Sequence, residues 1–127
     1  MQERNLFEYA VIRVVPRVER EEFINTGIIL YCAKLKFLKS VYSLNADRIA
    51  SLNRDLNLPD LEKNLEAFVQ ICEGSASSGP IGKLDAASRF RWLTATRSTV
   101  LQTSKVHPGF CVDPVETIAK LKRDLVL

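Results

Sequence analysis

The sequence predicts an α+β domain: a small antiparallel sheet of about four strands packed with three to four helices. Three observations predict it. The 127 residues are the usual length of one domain. The composition, 46% hydrophobic and 26% charged, is ordinary for a chain that buries a core. Strand-like segments come first, helical periodicities fill the middle, and one strand and one helix follow. This order lacks the regular β-α alternation of a doubly wound sheet. There is no internal repeat, and residues 1–127 read as one unit with a Gly/Ser-rich loop at 74–83.

Tyr9 to Val15, YAVIRVV, is rich in β-branched and aromatic residues, is bounded by Pro16, and fits a strand. Arg17 to Ile24 is too charged for a core strand, and reads as a short helical turn or an irregular connection. Gly27 precedes a second apolar run, Ile28 to Ala33, short enough for a buried strand. Lys34 to Val41 alternates partly between lysines and apolar residues, as a strand with one wet face does. The tight spacing of these two predicts an antiparallel hairpin. Asn45 can cap a short helix carrying Ile49, Leu52 and Leu56. Pro59 suits the first turn of a second helix, with Leu61, Leu65, Phe68 and Cys72 inward and Gly74 at its end.

Glu73 to Lys83, EGSASSGPIGK, is a loop by composition and longer than the ~4–6 residues of a typical connection. Leu84 to Leu93 is read as a helix with Phe90 and Leu93 inward, and Ser98 to Thr103 as a strand. Asp113, Pro114 and Glu116 form a strong helix start, followed by a buried stripe of Val115, Ile118, Leu121 and Leu125.

The excess of 18 Lys and Arg over 15 Asp and Glu, +3, permits an anionic partner without demanding one. Cys32, Cys72 and Cys111 are odd in number, widely spaced and set among apolar residues. They read as buried free thiols in a reducing compartment, not as a disulfide framework or a zinc site. The start lacks the apolar core of a signal peptide, and no apolar run approaches the ~18 residues of a membrane span. A cytoplasmic protein away from membranes is the expectation.

The candidate site rests on arginines close to apolar strands. Arg13 sits at the centre of YAVIRVV, where both alternating faces look apolar. It needs a partner or a ligand, and either a structural salt bridge or a functional role answers that need. Arg17, Glu19, Arg20, Glu21, Glu22 and Asn25 form a charge run, ordinarily a solvated face. Asn25 before Thr26 and Gly27 suggests turn chemistry. From Arg89 to Thr99 arginine interleaves with aromatic residues, as on surfaces that hold phosphates and stack bases. Trp92 is expected in the core. His107, before Pro108 and Gly109, reads as a turn residue and is a weak catalytic candidate, with no Cys or carboxylate beside it.

Several signatures fail. Gly79 to Lys83 follows a helix, and Ser77 and Leu84 stand where a phosphate loop requires Gly and Ser or Thr. HExxH, GxSxG, GxGxxG and EF-hand patterns do not occur. Glu19, Glu21 and Glu22 lie among arginines, which disfavours a divalent metal. No metal or cofactor is expected.

Tyr9 to Leu30, YAVIRVVPRVEREEFINTGIIL, and Arg89 to Gly109, RFRWLTATRSTVLQTSKVHPG, resemble the bacterial family catalogued as domain of unknown function 3037. The resemblance runs through nearly the whole chain and is loosest from Asn45 to Glu73. It implies a small intracellular bacterial protein with no assigned activity and no established catalytic residues. It also implies a possible partner, since such proteins are often encoded beside HipA-like kinases.

Three readings follow. In a binding module Arg13, Arg17, Arg20, Arg89 and Arg97 converge with Asn25, Ser98, Thr99 and Gln102 on an anion. That anion is a nucleotide, a nucleic-acid phosphate or an acidic partner segment. In a complex-forming partner, such as one of a HipA-like kinase, acids of the same chain satisfy the arginines. In a phosphoester-acting enzyme His107 is the acid or base, assisted by Arg97 and Arg13. The count of arginines paired with carboxylates discriminates the first two readings. The distance of His107 from the arginines bears on the third.

Overall fold

A strand apolar on both faces takes a central place in the sheet. The computed structural model describes residues 3–127. In it β1 (Asn5–Val14) pairs antiparallel with β2 (Ile24–Cys32), which pairs antiparallel with β3 (Phe37–Tyr42). The other edge of β1 is shared. There β4 (Leu101–Thr103) covers Ile12 to Val14, and β5 (His107–Cys111) covers Asn5 to Tyr9. Among the described residues this is a five-stranded sheet in the order β3-β2-β1-β4, with β5 also on β1. The helices are α1 (Ala46–Leu52), α2 (Leu58–Glu73), α3 (Gly79–Gly82), α4 (Ala86–Leu93) and α5 (Pro114–Leu125).

Side chains of a strand alternate between two faces, and in β1 both sets are apolar. Ala10, Ile12 and Val14, with Ile29 of β2, meet Ile49 of α1, Leu65 and Phe68 of α2, and Phe90 and Leu93 of α4. On the reverse face Phe7, Val11, Ile28, Leu30 and Cys32 pack under Ile118 and Val126. Burying each such aliphatic side chain contributes about 1.5–3 kcal/mol. A helix layer on each face is what a two-sided apolar strand requires.

Two irregularities shape the sheet. Ile12 pairs with Gly27 but Arg13 pairs with Asn25, so Thr26 is an extra residue in β2. It reverses the alternation, and Ile24 joins the same core as Ile29. Gly27 at this bulge has no room for a side chain: a Cβ would lie 2.9 Å from the Cβ of Tyr42 and closer still to the Val41 carbonyl. The second irregularity is the break between β4 and β5. Ser104 bridges it, donating its N–H to the Val11 carbonyl at 2.8 Å. Its hydroxyl accepts the Val11 N–H at 2.8 Å and donates to the Lys105 carbonyl at 2.9 Å.

Local signals set most helix ends. Asn45 Oδ1 accepts the N–H of Arg48, and Asn57 Oδ1 that of Asp60. Gly74 ends α2 in the left-handed region at φ 69°. Asp113 Oδ1 accepts from the N–H of Val115.

Other expectations are corrected. β2 begins at Ile24, because the bulge lets the pairing continue past Gly27. Lys34 belongs to the hairpin turn, closed by the Lys36 N–H on the Ala33 carbonyl at 3.1 Å. The segment 98–103 contributes only Leu101–Thr103 to the sheet. His107 is not in a turn but opens β5. Pro108 fits there because its missing N–H faces the outer edge, where no ladder bond is lost. The charged run after Pro16 does hold the short helical turn expected of it, a 3-10 turn at Val18–Arg20. The stretch 74–83 is not an open loop. It contains the single turn α3 and is braced by the Ser78 hydroxyl on the Ser75 carbonyl at 2.6 Å. Trp92 is 41% exposed, because Phe90 and Leu93, three apart, take the inward face of α4. Val115, 55% exposed, also turns outward, and the inner stripe of α5 runs through Pro114, Ile118 and Leu121 toward Val126.

All three cysteines are free and buried. Burial pushes the Cys72 thiol up to about 11. Among the described residues no helix is long and apolar enough to cross a membrane.

Two outcomes are expected. Ser104→Ala strands the buried N–H of Val11 and destabilises the fold by about 1–3 kcal/mol, read from denaturant unfolding. An unchanged midpoint would show that the bridge between β4 and β5 contributes nothing. Iodoacetamide at pH 8 leaves Cys72 unmodified in the native protein and alkylates it after denaturation, because burial removes access and keeps the thiol protonated.

Candidate functional site

A cleft of about 510 Å³ opens where α2 and α4 overhang β4. Its size falls within the ~300–1,000 Å³ of small-ligand sites. One wall is a face of α2, where Asn64, Ala67, Phe68 and Ile71 recur at helical spacing. The opposite wall is the chain from Thr99 to Thr103, and Trp92, Leu93 and Arg97 complete the lining. Most of these side chains are apolar. Arg97 is the single charged residue among them.

Arg97 is held by main chain. Its Nη1 donates to the carbonyls of Leu93 at 3.1 Å and Ala95 at 3.3 Å, and Nη2 donates to the Trp92 carbonyl. The Trp92 and Leu93 carbonyls end α4 and that of Ala95 lies just beyond it, and a cation there also meets the negative end of the helix dipole. The guanidinium lies 4.4 Å from the centre of the Trp92 ring, a cation–π contact. No carboxylate among the described residues pairs with it. The positive charge in the lining of the cleft is therefore positioned but not neutralised.

Thr99 and Gln102 brace the same wall. The Thr99 hydroxyl donates to the Leu101 carbonyl at 2.8 Å, and Gln102 Nε2 donates to the Thr99 carbonyl at 2.7 Å. Ser98 is exposed just before them. Thr103, also in the wall, has a buried hydroxyl with no partner.

Arg13 lies outside this cleft. Strand register puts Asn25, Arg13 and Gln102 in one row across β2, β1 and β4, on the α5 side of the sheet. The Arg13 guanidinium sits 3.9 Å over the Phe23 ring. Its Nε and the Asn25 Oδ1 are buried without partners, while Asn25 Nδ2 donates to the Leu125 carbonyl at 3.1 Å. The partner that an arginine in this strand needs is thus an aromatic ring, and a carboxylate takes no part.

The remaining candidates are dispersed. Arg17 and Arg20 line a smaller polar cleft of about 330 Å³ with Glu22, Ser51 and Leu52. Arg20 is ion-paired with Glu22, which raises its already high pKa further, and Arg17 is exposed with no carboxylate partner among the described residues. Arg89 Nη1 donates to the Leu84 carbonyl at 2.6 Å, and the side chain packs beside Gly74, tying the α2–α4 connection to α4. His107 is exposed on β5 opposite Tyr9, their ring centres 5.4 Å apart. Tyr9 and Arg13 are four residues apart on β1, about 13 Å at the usual strand rise, and the Arg13 guanidinium stacks on Phe23 beyond the Val14 end of the strand, so it does not meet His107.

The structure therefore brings Arg97, Thr99 and Gln102 together, with Ser98 adjoining, and leaves Arg13 with Asn25, Arg17 with Arg20, Arg89 and His107 in other places. Asn64, Ala67, Ile71 and Thr103 were not among the sequence candidates. A signal existed in α2: Asn64, Ala67 and Ile71 flank the core stripe of Leu61, Leu65, Phe68 and Cys72, and two of the three are apolar. Among the described residues no three His, Cys, Asp or Glu side chains gather as a cation site requires.

No curated protein and no solved structure matches the chain. The model of the family described as "Protein of unknown function (DUF3037)" matches residues 9–126, nearly the whole chain, and the protein belongs to that family.

Proposed function

We propose that the protein is a binding module that takes an anionic group at the mouth of the cleft between α2, α4 and β4. The apolar part of the ligand enters the cleft itself. One observation carries this reading: Arg97 is fixed by carbonyls and by Trp92, carries no carboxylate partner, and is the only charge lining an otherwise mainly apolar cleft. A guanidinium already ordered loses little freedom when it grips phosphate or carboxylate. The distribution of acids supports it too. Of the candidate arginines, Arg20 is paired with Glu22. Arg13, Arg17, Arg89 and Arg97 have no such partner among the described residues. A complex in which acids of the same chain satisfy every arginine is less favoured by that count. Separation of His107 from Arg13 disfavours the enzymatic reading.

Trp92 is the only tryptophan, so its fluorescence reports on the cleft directly. Titration with ATP, a short oligouridylate and a short oligoglutamate tests the three anion classes. At least one is expected to change Trp92 emission at low salt, and to bind about tenfold more weakly once salt screens the charge. Ala67→Leu fills the cleft from an exposed helix position at little cost to α2 and is expected to abolish the response. Arg97→Gln is expected to weaken it. No response to any of the three, or one indifferent to salt and to both substitutions, overturns the proposal.

A further inference from the structure

The wall of the cleft formed by β4 is a sheet edge. β4 has β1 as its only partner among the described strands. The N–H of Val15 donates to the Val100 carbonyl at 2.7 Å, and the N–H of Ser104 to the Val11 carbonyl at 2.8 Å. Along an antiparallel ladder the backbone groups alternate in direction. Val100, Gln102 and Ser104 thus turn toward β1, and the N–H groups of Leu101 and Thr103 turn outward. The Leu101 carbonyl takes the Thr99 hydroxyl, which leaves the Thr103 carbonyl and both outward amides for another strand. The outer edge of β5 is different, because Pro108 removes one of its donors.

We infer that the ligand of this cleft is an extended peptide that adds as a strand to β4, beneath α2, with a carboxylate at the Arg97 end. The inference rests on the anion-binding reading above and names its partner. Main-chain bonds to Leu101 and Thr103 hold such a peptide, and every second side chain of it turns in against Ala67, Phe68 and Ile71. Two outward amides two residues apart, about 6.6 Å along a strand, match the repeat of a peptide backbone. Charge complementarity selects an acidic segment: Arg97 is the only charged lining residue, and no acid faces the cleft. Arginine then takes the carboxylate in charge-assisted hydrogen bonds.

The test is selection of linear peptides from a random display library on the immobilised protein, with counter-selection on Ala67→Leu. Enriched peptides are expected to share an acidic residue and apolar residues two apart. A synthetic winner should slow amide exchange at Leu101 and Thr103, with little change at Gln102, whose N–H already faces β1. N-methylation of its backbone at a position facing β4 should weaken binding roughly tenfold, as loss of a main-chain hydrogen bond implies. No enrichment over Ala67→Leu overturns the inference. So does a bound peptide that leaves exchange at Leu101 and Thr103 unchanged, or one whose N-methylated analogues all bind as tightly. The two readings fail separately. If ATP quenches Trp92 through Arg97 but no peptide protects β4, strand addition falls and anion binding stands. If a peptide protects β4 but is indifferent to salt and to Arg97→Gln, strand addition stands and anion binding falls.

Discussion

β1 is enclosed on four sides, and the rest of the molecule is arranged to enclose it. Its two edges pair with β2 and with β4 and β5, and its two faces lie under separate helix layers. A strand apolar on both faces cannot leave either one to water. α1, α2 and α4 cover one face, and the chain returns through α5 to cover the other. The shared edge follows from the same demand, because neither β4 nor β5 is long enough to cover β1 alone. Ser104 makes the change of partner possible by supplying a hydroxyl where a backbone carbonyl would otherwise accept the Val11 N–H.

An arginine inside such a strand has few exits. Arg13 leaves between β2 and β4 and lays its guanidinium over Phe23. A cation–π contact of this kind contributes on the order of 1 kcal/mol and does not remove the charge. The Asn25–Arg13–Gln102 row also ties the sheet to the last turn of α5, through the bond from Asn25 to the Leu125 carbonyl. The polar residues near β1 therefore serve the join between sheet and helix as well as any ligand.

The cleft is the complement of this enclosure. β4 supplies three residues and ends the sheet there, so one side of α2 meets no further strand. Arg97 closes the end of α4 and sets an uncompensated charge at that opening. One side chain has both tasks because Arg97 lines the cleft while its guanidinium meets the Trp92 and Leu93 carbonyls at the end of α4. Trp92 is exposed for a related reason: the core positions of α4 belong to Phe90 and Leu93.

Period and local chemistry determined much of this protein before any contact was known. The two-faced apolar pattern of YAVIRVV placed β1 in the interior. The stripe of α2, the caps at Asn45 and Asp113, and the stop at Gly74 depend on neighbours in sequence, and they appear where the residues indicate. That Arg97, Thr99 and Gln102 lie close together was also legible, as members of one polar run beside aromatic residues, and all three line the same cleft. Only the tertiary structure decided the rest. The bulge at Thr26 and the strand character of His107–Cys111 are set by pairing with β1, which no local window contains. Convergence of the arginines failed because each takes its place from a different part of the fold: Arg13 from the sheet interior, Arg17 and Arg20 from the turn after Pro16, Arg89 from the middle of α4 and Arg97 from the chain beyond its end. A linear sequence states which charges are present. Which of them share a cleft, and which meet a carbonyl, a ring or an acid first, depends on distances that exist only after the sheet and its two helix layers have closed.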